Sequence, residues 1–423
     1  MKTTFALFGL ACCLLASTAR STGNAAELPG LVVPDGLGVN IHFTDPRPGE
    51  MDMLARAGFR WIRMDFSWES MERTKGVYDF SAWDRLMRAL DAKHIRAVAI
   101  LDYSNPLYDH GLSPASDQGR AAFARWAAAA ARHFHGRGIL WEMYNEPNIQ
   151  FWRPKPDVRQ YAKLALAVGK ALRQAEPAEL YVGPACSTFD LKFLEACFKA
   201  GLLEYWSAVS VHPYRSKGPE TAAPDYARLR RMIGQYAPKG KAIPILSGEW
   251  GYSSASRHMG VDKQGKYLPR QWLTNLAQQV RLSIWYDWHD DGQNPKENEH
   301  HFGTVYFPYR SHQTPVYEPK PAFLAAKTLT GELRGYRFRD RLAVGGPDDY
   351  VLAFCEDKNP QNLRWAAWTA ADSLHTVTIP APAGKYAAVN FLGQPLPQRT
   401  ASTGGLSLNL TDAPIYVKPV SER

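Results

Sequence analysis

From Leu37 onward the chain alternates short apolar, β-branched runs with longer amphipathic stretches, the pattern of repeated βα units. Eight runs fit strands, at 38–43, 61–68, 96–103, 139–145, 180–185, 208–214, 243–250 and 283–288. Helices are expected between them, among others at 81–93, 118–133, 158–176 and 226–236. The third of these is clearest, because Tyr161, Leu164, Ala165, Val168 and Leu172 recur at spacings of three and four and so share one face. Eight such units predict an α/β fold, a (β/α)8 TIM barrel over residues 37–333 whose active face is built at the C-terminal strand ends. A doubly wound open sheet fits less well, since the turn after the first strand, Thr44-Asp45-Pro46-Arg47-Pro48, has none of the glycines of a dinucleotide fingerprint.

The eighth unit carries a long insertion, 289–309, before a helix expected at 321–333. After Gly335 the period changes to short alternating runs at 350–354, 363–369, 376–379, 386–391 and 415–418, broken by Gly, Pro and Asn turns. They predict a small C-terminal β-sandwich over 336–423 that packs on the barrel or touches polymer. At the other end, Lys2, an apolar run over 5–16 and a small polar segment over 17–21 have the order of a secretory signal, expected to be removed near residue 21. Export to a periplasm or the exterior follows. Beyond it no apolar run of about 18 residues occurs, so no membrane span is expected in the mature chain.

Composition narrows this little. With 45% hydrophobic and 22% charged residues in 423, the chain is an ordinary globular protein and not a disordered, collagenous or coiled-coil one. Of five cysteines, Cys186, Cys197 and Cys355 lie outside the signal; they show no metal-ligand spacing, and a Cys186–Cys197 disulfide fits an oxidising compartment. The net charge of +9 is scattered along the chain, which argues against nucleic acid as a partner. A monomer is expected.

Chemistry concentrates at two strand ends. The fourth strand closes on Trp141-Glu142-Met143-Tyr144-Asn145-Glu146-Pro147 and the seventh on Ser247-Gly248-Glu249-Trp250. A lone carboxylate ending an apolar strand is either paired with a base or used, because burying it unpaired is costly. Glu146 and Glu249 are 103 residues apart, close to the three βα units of about 37 residues that equivalent places on strands four and seven require. Facing acids in a small barrel can approach to the roughly 5–5.5 Å of retaining glycoside hydrolysis.

With Asn145-Glu146-Pro147 and a later Glu249, the segment 37–333 resembles the clan A retaining glycoside hydrolases, and within them most closely family 39 and the exported hydrolases of bacterial exopolysaccharide synthesis. The narrower likeness rests on Asp290-Asp291-Gly292 to Phe302-Gly303 followed by Lys320-Pro321-Ala322; a family 5 cellulase-like assignment stays open. The resemblance implies Glu146 as acid/base, kept neutral by partial burial and the charge of Glu249, and Glu249 as nucleophile, kept ionised by Arg63 and Tyr214. It implies Asn145 at the sugar 2-hydroxyl and His212 as a sugar contact. Arg63 paired with Asp65 is the structural alternative.

Trp285, Tyr286 and Trp288 end the eighth strand, and one of them is expected to stack on sugar C–H faces, with Trp285 first and Trp288 also in the site. Trp68, Trp152 and Trp250 lie near loop ends and are either further platforms or core. His42 and Tyr103 are lower-ranked pocket residues. The acidic insert with Asp290, Asp291, Glu297, Glu299, His300 and His301 matches no calcium-loop spacing and is expected to be a solvated rim, with no metal and no cofactor. The function so indicated is endo-cleavage of an exopolysaccharide with equatorial linkages. An exo-acting xylosidase-like or cellulase-like enzyme is the rival, and a non-catalytic polysaccharide-binding or export-assembly protein is the other class; such proteins usually lack one carboxylate, and this chain has both.

Overall fold

A computed structural model describes residues 27–420; the expected signal over 1–21 lies outside them. Eight parallel strands close a barrel in chain order: β1 Leu37–Asn40, β2 Trp61–Ser67, β3 Arg96–Asp102, β4 Leu140–Met143, β5 Leu180–Ser187, β6 Ala208–His212, β7 Ile245–Trp250 and β8 Ser283–Trp285, with β1 paired to both β2 and β8. The expected strands all form; several stop two or three residues early, where the chain turns into the loops of the mouth. The expected helices form at Ser81–Asp91, Asp117–His133, Val158–Ala175, Ala223–Tyr236 and Pro321–Glu332. An unexpected one, Gly260–Ala277, contains Pro269 and packs so tightly on the helix 321–332 that a Cβ on Gly265 would lie 2.5 Å from Pro321 Cβ.

The barrel interior is layered. Its floor is apolar: Trp61, Val98, Leu140, Val182, Ala208, Leu246 and Ile284 form one buried cluster, closed from below by Arg96 stacked 4.1 Å over the Trp61 ring. Gly38 is required there, since a Cβ would stand 2.5 Å from the Trp61 carbonyl oxygen. Because side chains alternate along a strand, the next inward positions are two residues further on. These are Asn40, Arg63, Glu142, Ser210 and Gly248, so a polar layer sits directly above the floor. A Cβ on Gly248 would lie 2.3 Å from Ser210 Oγ and 2.8 Å from Glu142 Oε1, so glycine makes room for the buried polar groups.

The C-terminal region is an antiparallel sheet of six strands: β9 Tyr336–Arg341, β10 Asp349–Glu356, β11 Leu363–Thr369, β13 Gly384–Asn390, β14 Pro395–Ala401 and β16 Ile415–Pro419. A two-stranded ribbon, β12 His375–Ile379 with β15 Leu406–Leu410, covers one face. The expected sandwich is therefore lopsided. Val351, Ala353, Trp365 and Ala367 face the ribbon, while their alternates Leu352, Phe354, Ala366 and Trp368 join the core of the barrel. At that interface Arg270 donates twice to Glu220, at 2.6 and 2.9 Å, and Trp368 Nε1 donates to the same carboxylate at 2.7 Å. Cys186, Cys197 and Cys355 are buried free thiols, so the Cys186–Cys197 disulfide does not form.

Candidate active site

Arg63 is the hub of the polar layer. It is 1% exposed, and its Nε donates to Glu142 Oε2 at 2.6 Å, its Nη1 to Glu249 Oε2 at 2.6 Å and its Nη2 to Asn145 Oδ1 at 2.8 Å. Its partner is thus Glu142 with Glu249, not Asp65. Ser210 Oγ donates to the other oxygen of Glu142 at 2.5 Å, which leaves Glu142 fully engaged below the mouth. Glu142 was not among the candidates read from the sequence. The signal that finds it is strand parity, because it stands two residues above the floor residue Leu140.

Local backbone geometry turns both candidate acids toward the axis. A register shift between Ser247 and Trp250 lets Glu249 leave the strict alternation of β7 and face the mouth. After β4 the backbone is left-handed at Tyr144 (φ 65°) and Glu146 (φ 45°), a conformation that costs energy in residues with a side chain. It is held by Glu146 N–H donating to the Ala185 carbonyl and by Asn148 and Ser187 stapled together across the loops at 2.9 and 3.0 Å. One ligand atom each of Glu146, His212 and Glu249 lie within 4.8 Å of one another. Tyr214 hydroxyl donates to Glu249 Oε1 at 2.8 Å, and Asn145 Nδ2 donates to the Tyr103 hydroxyl at 2.9 Å.

The proton on His212 is fixed by its neighbours. Nε2 lies 3.3 Å from Arg63 Nη2, a group that only donates, so Nε2 accepts and Nδ1 carries the hydrogen. Nδ1 then donates to Glu146 Oε1 at 2.9 Å. Burial, the largest single influence, pushes the Glu146 carboxyl up, but the bond and field of His212, with Ser187 and Arg63 behind them, outweigh it and hold the group below its ordinary value. This corrects the expectation that burial and Glu249 keep Glu146 neutral in the free protein. The hydrogen-bond donor that reverses the balance is 66 residues away in sequence.

The aromatic expectations need the largest correction. Ile284 belongs to the barrel floor, so Trp285 points outward; it is 0% exposed and donates from Nε1 to the Phe302 carbonyl at 3.2 Å. Trp288 is also outside, buried among Phe59, Tyr317 and Phe323 with Nε1 donating to Glu50 at 2.9 Å. Trp68, Trp152 and Trp250 are buried core as well. The residue with inward parity is Tyr286, half-buried beside Glu249 and set edge-on to His42 (ring centroids 5.6 Å apart) and Phe302 (5.3 Å). His42 lies on the same wall, 3.3 Å from the buried Asp287, and Tyr103 stacks at 5.8 Å on the exposed Phe151.

Two carboxylates this close, one bound by the donors of Arg63 and Tyr214 and the other by an imidazole, can divide the work of nucleophile and proton carrier. A family model described as cellulase (glycosyl hydrolase family 5) matches residues 38–292. No curated protein matches the chain in sequence. Among solved structures, a family 39 glycoside hydrolase from the gut symbiont Bacteroides cellulosilyticus WH2 superposes with a TM-score of 0.78 at 24% identity, over 91% of this chain and 81% of that one. A monomeric beta-xylosidase from Caulobacter crescentus CB15 gives 0.65 at 17% identity, over 94% and 98%. A conserved exported protein from Bacteroides fragilis gives 0.68 at 12% identity, over 93% and 98%. These likenesses are of fold.

Proposed function

The chain belongs to the glycosyl hydrolase family 5 cellulase family, whose clan A members retain anomeric configuration, and from that premise we propose that Glu249 is its nucleophile and Glu146 its acid/base. The observation that carries this reading is the convergence of Glu146, His212 and Glu249 atoms within 4.8 Å, which fits the short separation of a double displacement. Arg63 and Tyr214 stabilise the Glu249 carboxylate. His212 occupies Oε1 of Glu146, so the transferable proton is carried on Oε2.

In the first step Glu249 bonds to the anomeric carbon as the glycosidic C–O bond breaks and the leaving oxygen takes the proton of Glu146. In the second, water gives a proton to Glu146 and bonds to the same carbon, and the Glu249 carboxylate is released. A sugar seated over the pair excludes water and strengthens the field of Glu249, which drives Glu146 toward its protonated form. Asn145 holds the 2-hydroxyl and Tyr286 takes the stacking place foreseen for Trp285. Within the described residues no helix is long and apolar enough to cross a membrane. The leader read in the sequence supports export, and the substrate is an extracellular or periplasmic polysaccharide with equatorial linkages, cut internally by a monomer.

The fold likeness to a beta-xylosidase favours a second reading, removal of single terminal sugars. Reducing-end release from a panel of polysaccharides, with product sizes by mass spectrometry, separates the two. Oligomers support internal cleavage and monosaccharides alone overturn it. The Glu249→Gln variant is expected to lose turnover by about 10⁴-fold or more while still binding oligosaccharide; full activity refutes the assignment.

A further inference from the structure

The loop that follows Glu146 is pinned along its length, and it presents two side chains at the rim that the proposed reaction does not use. The Phe151 carbonyl accepts from the Tyr144 hydroxyl at 3.3 Å. Arg153 N–H donates to Ser113 Oγ at 2.8 Å, and the Arg153 carbonyl accepts from Ser113 N–H at 3.3 Å. Both side chains turn back onto the loop after β3, at neighbouring positions. The Phe151 ring stacks on Tyr103 with centroids 5.8 Å apart and planes 20° from parallel, and Arg153 Nη2 donates to Ser104 Oγ at 2.6 Å. Tyr103 ties this seam to the candidate acids, since its hydroxyl accepts from Asn145 beside Glu146.

Neither group is covered or neutralised there. Phe151 is 38% exposed and Arg153 is exposed, although its tether, Ser104, is buried. Among the described residues Arg153 and Lys155, two positions on, form no ion pair. The carboxylate next along the chain, Asp157, caps the helix Val158–Ala175 instead, accepting from Arg159 N–H at 2.9 Å and Gln160 N–H at 3.1 Å. One bond to a neutral hydroxyl therefore holds the Arg153 guanidinium in place and leaves its charge and its other N–H donors to a ligand. Such a tether reduces the freedom that the side chain loses when a ligand arrives.

We propose that Phe151 and Arg153 form a subsite, on the acid/base side of the mouth, for a sugar that bears a carboxylate, a uronic acid unit of the polymer. The ring face takes the C–H side of the sugar, and the guanidinium takes the carboxylate in two parallel charge-assisted bonds. A neutral sugar needs the ring alone and does not call for an unpaired cation beside it. The sign agrees with the net charge of +9 and opposes the wall across the axis, where His42, Asp287 and Asp291 set two carboxylates against one imidazole. The inference rests on the reading of the mouth as a polysaccharide site, and it names the charge of a substrate that this reading leaves open.

The test is calorimetric titration of the full chain, carrying Glu249→Gln so that no probe is consumed, with three tetramers that differ only at C6. They are cellotetraose, its fully oxidised β-1,4-glucuronic acid counterpart and the methyl ester of that acid. The acid is expected to bind about fivefold or more tighter than either neutral tetramer, and the preference should shrink as salt is added. Adding Arg153→Gln should remove most of it, Arg153→Lys should keep part, and Lys170→Gln, on the helix Val158–Ala175, should leave it intact. Phe151→Ala should weaken all three alike, by about threefold to tenfold, since stacking is blind to charge. Equal binding of acid and ester overturns the proposal. So does a preference that survives Arg153→Gln, or one that falls as far in Lys170→Gln, which would assign it to overall charge. Reducing-end release by the parent chain is a separate readout: selective binding of the acid without cleavage of any polymer keeps this subsite and loses the reacting pair, while cleavage of neutral polymers with no preference for the acid does the reverse.

Discussion

Two buried arginines organise this molecule, and they differ in what they leave open. Arg270 closes on Glu220 with two parallel bonds, Trp368 takes a further contact with the same carboxylate, and Nη1 donates to the Asp412 carbonyl. That cluster is complete and joins the C-terminal sheet to the barrel. Arg63 instead spreads its donors over Glu142, Glu249, Asn145 and, through His212, the approach to Glu146. Glu142 is saturated by Ser210, but the Glu249 side chain keeps 13% exposure and faces the mouth. The same Arg–carboxylate chemistry closes on itself where every oxygen is satisfied and leaves a carboxylate open at the mouth, the one proposed as nucleophile, where it is not.

The sharpest way to break the comparison is to remove each guanidinium. Arg63→Met leaves Glu142 and Glu249 buried or nearly so without a cation, and should lower unfolding free energy by about 3–5 kcal/mol and abolish turnover. Arg270→Met should cost a similar amount, about 3 kcal/mol, yet leave kcat of the folded protein unchanged. Adding Glu220→Leu to Arg270→Met should recover most of that stability, since an apolar pair avoids the desolvation penalty; no second substitution should restore activity beside Arg63→Met. Chemical denaturation with parallel kinetics checks both. Loss of kcat in Arg270→Met at full folding would erase the distinction.

A smaller effect separates the aromatic residues of β8. Tyr286→Ala should reduce kcat/KM by about 10–30-fold, the cost of a lost sugar contact of roughly 2 kcal/mol, with stability little changed. Trp285→Phe should do the reverse, lowering stability by about 1–2 kcal/mol and leaving kcat/KM near that of the parent.

How much of this was legible in the sequence follows from distance and parity. The eight strands are legible because each is a local apolar run with a polar end, and the same ends single out Glu146 and Glu249 as the candidate pair. A large aromatic at a strand end suggests that Trp285 faces in, but parity decides: counting two from the floor residue Ile284 reaches Tyr286. The helix Gly260–Ala277 was hidden by Gly265 and Pro269, which look like breakers and are explained only by the close packing of the helix that follows. Strand β15 was hidden by polar alternates, although Leu406, Leu408 and Leu410 carry the period of two. Glu142 and the state of Glu146 depend on Arg63, Ser210 and His212, partners 79, 68 and 66 residues away, and no local pattern contains them.

The last and smallest effect tests the link from Arg63 to Glu146. Because His212 Nδ1–H donates to the carboxylate, it favours the charged form and lowers the Glu146 pKa in the free protein, against the upward push of burial. In the proposed reaction Glu146 starts protonated, so activity is expected to fall as pH rises through that pKa. In His212→Phe the donor is gone and burial remains, so the pKa rises and the alkaline limb of kcat/KM moves to higher pH. The rate at the optimum should fall only about tenfold, since the reacting carboxylates and Arg63 stay in place. His212→Gln, which can supply an amide donor to the same oxygen, should return the limb toward its original position. A limb that stays put in His212→Phe, or moves down, would mean that the proton lost along it does not belong to Glu146.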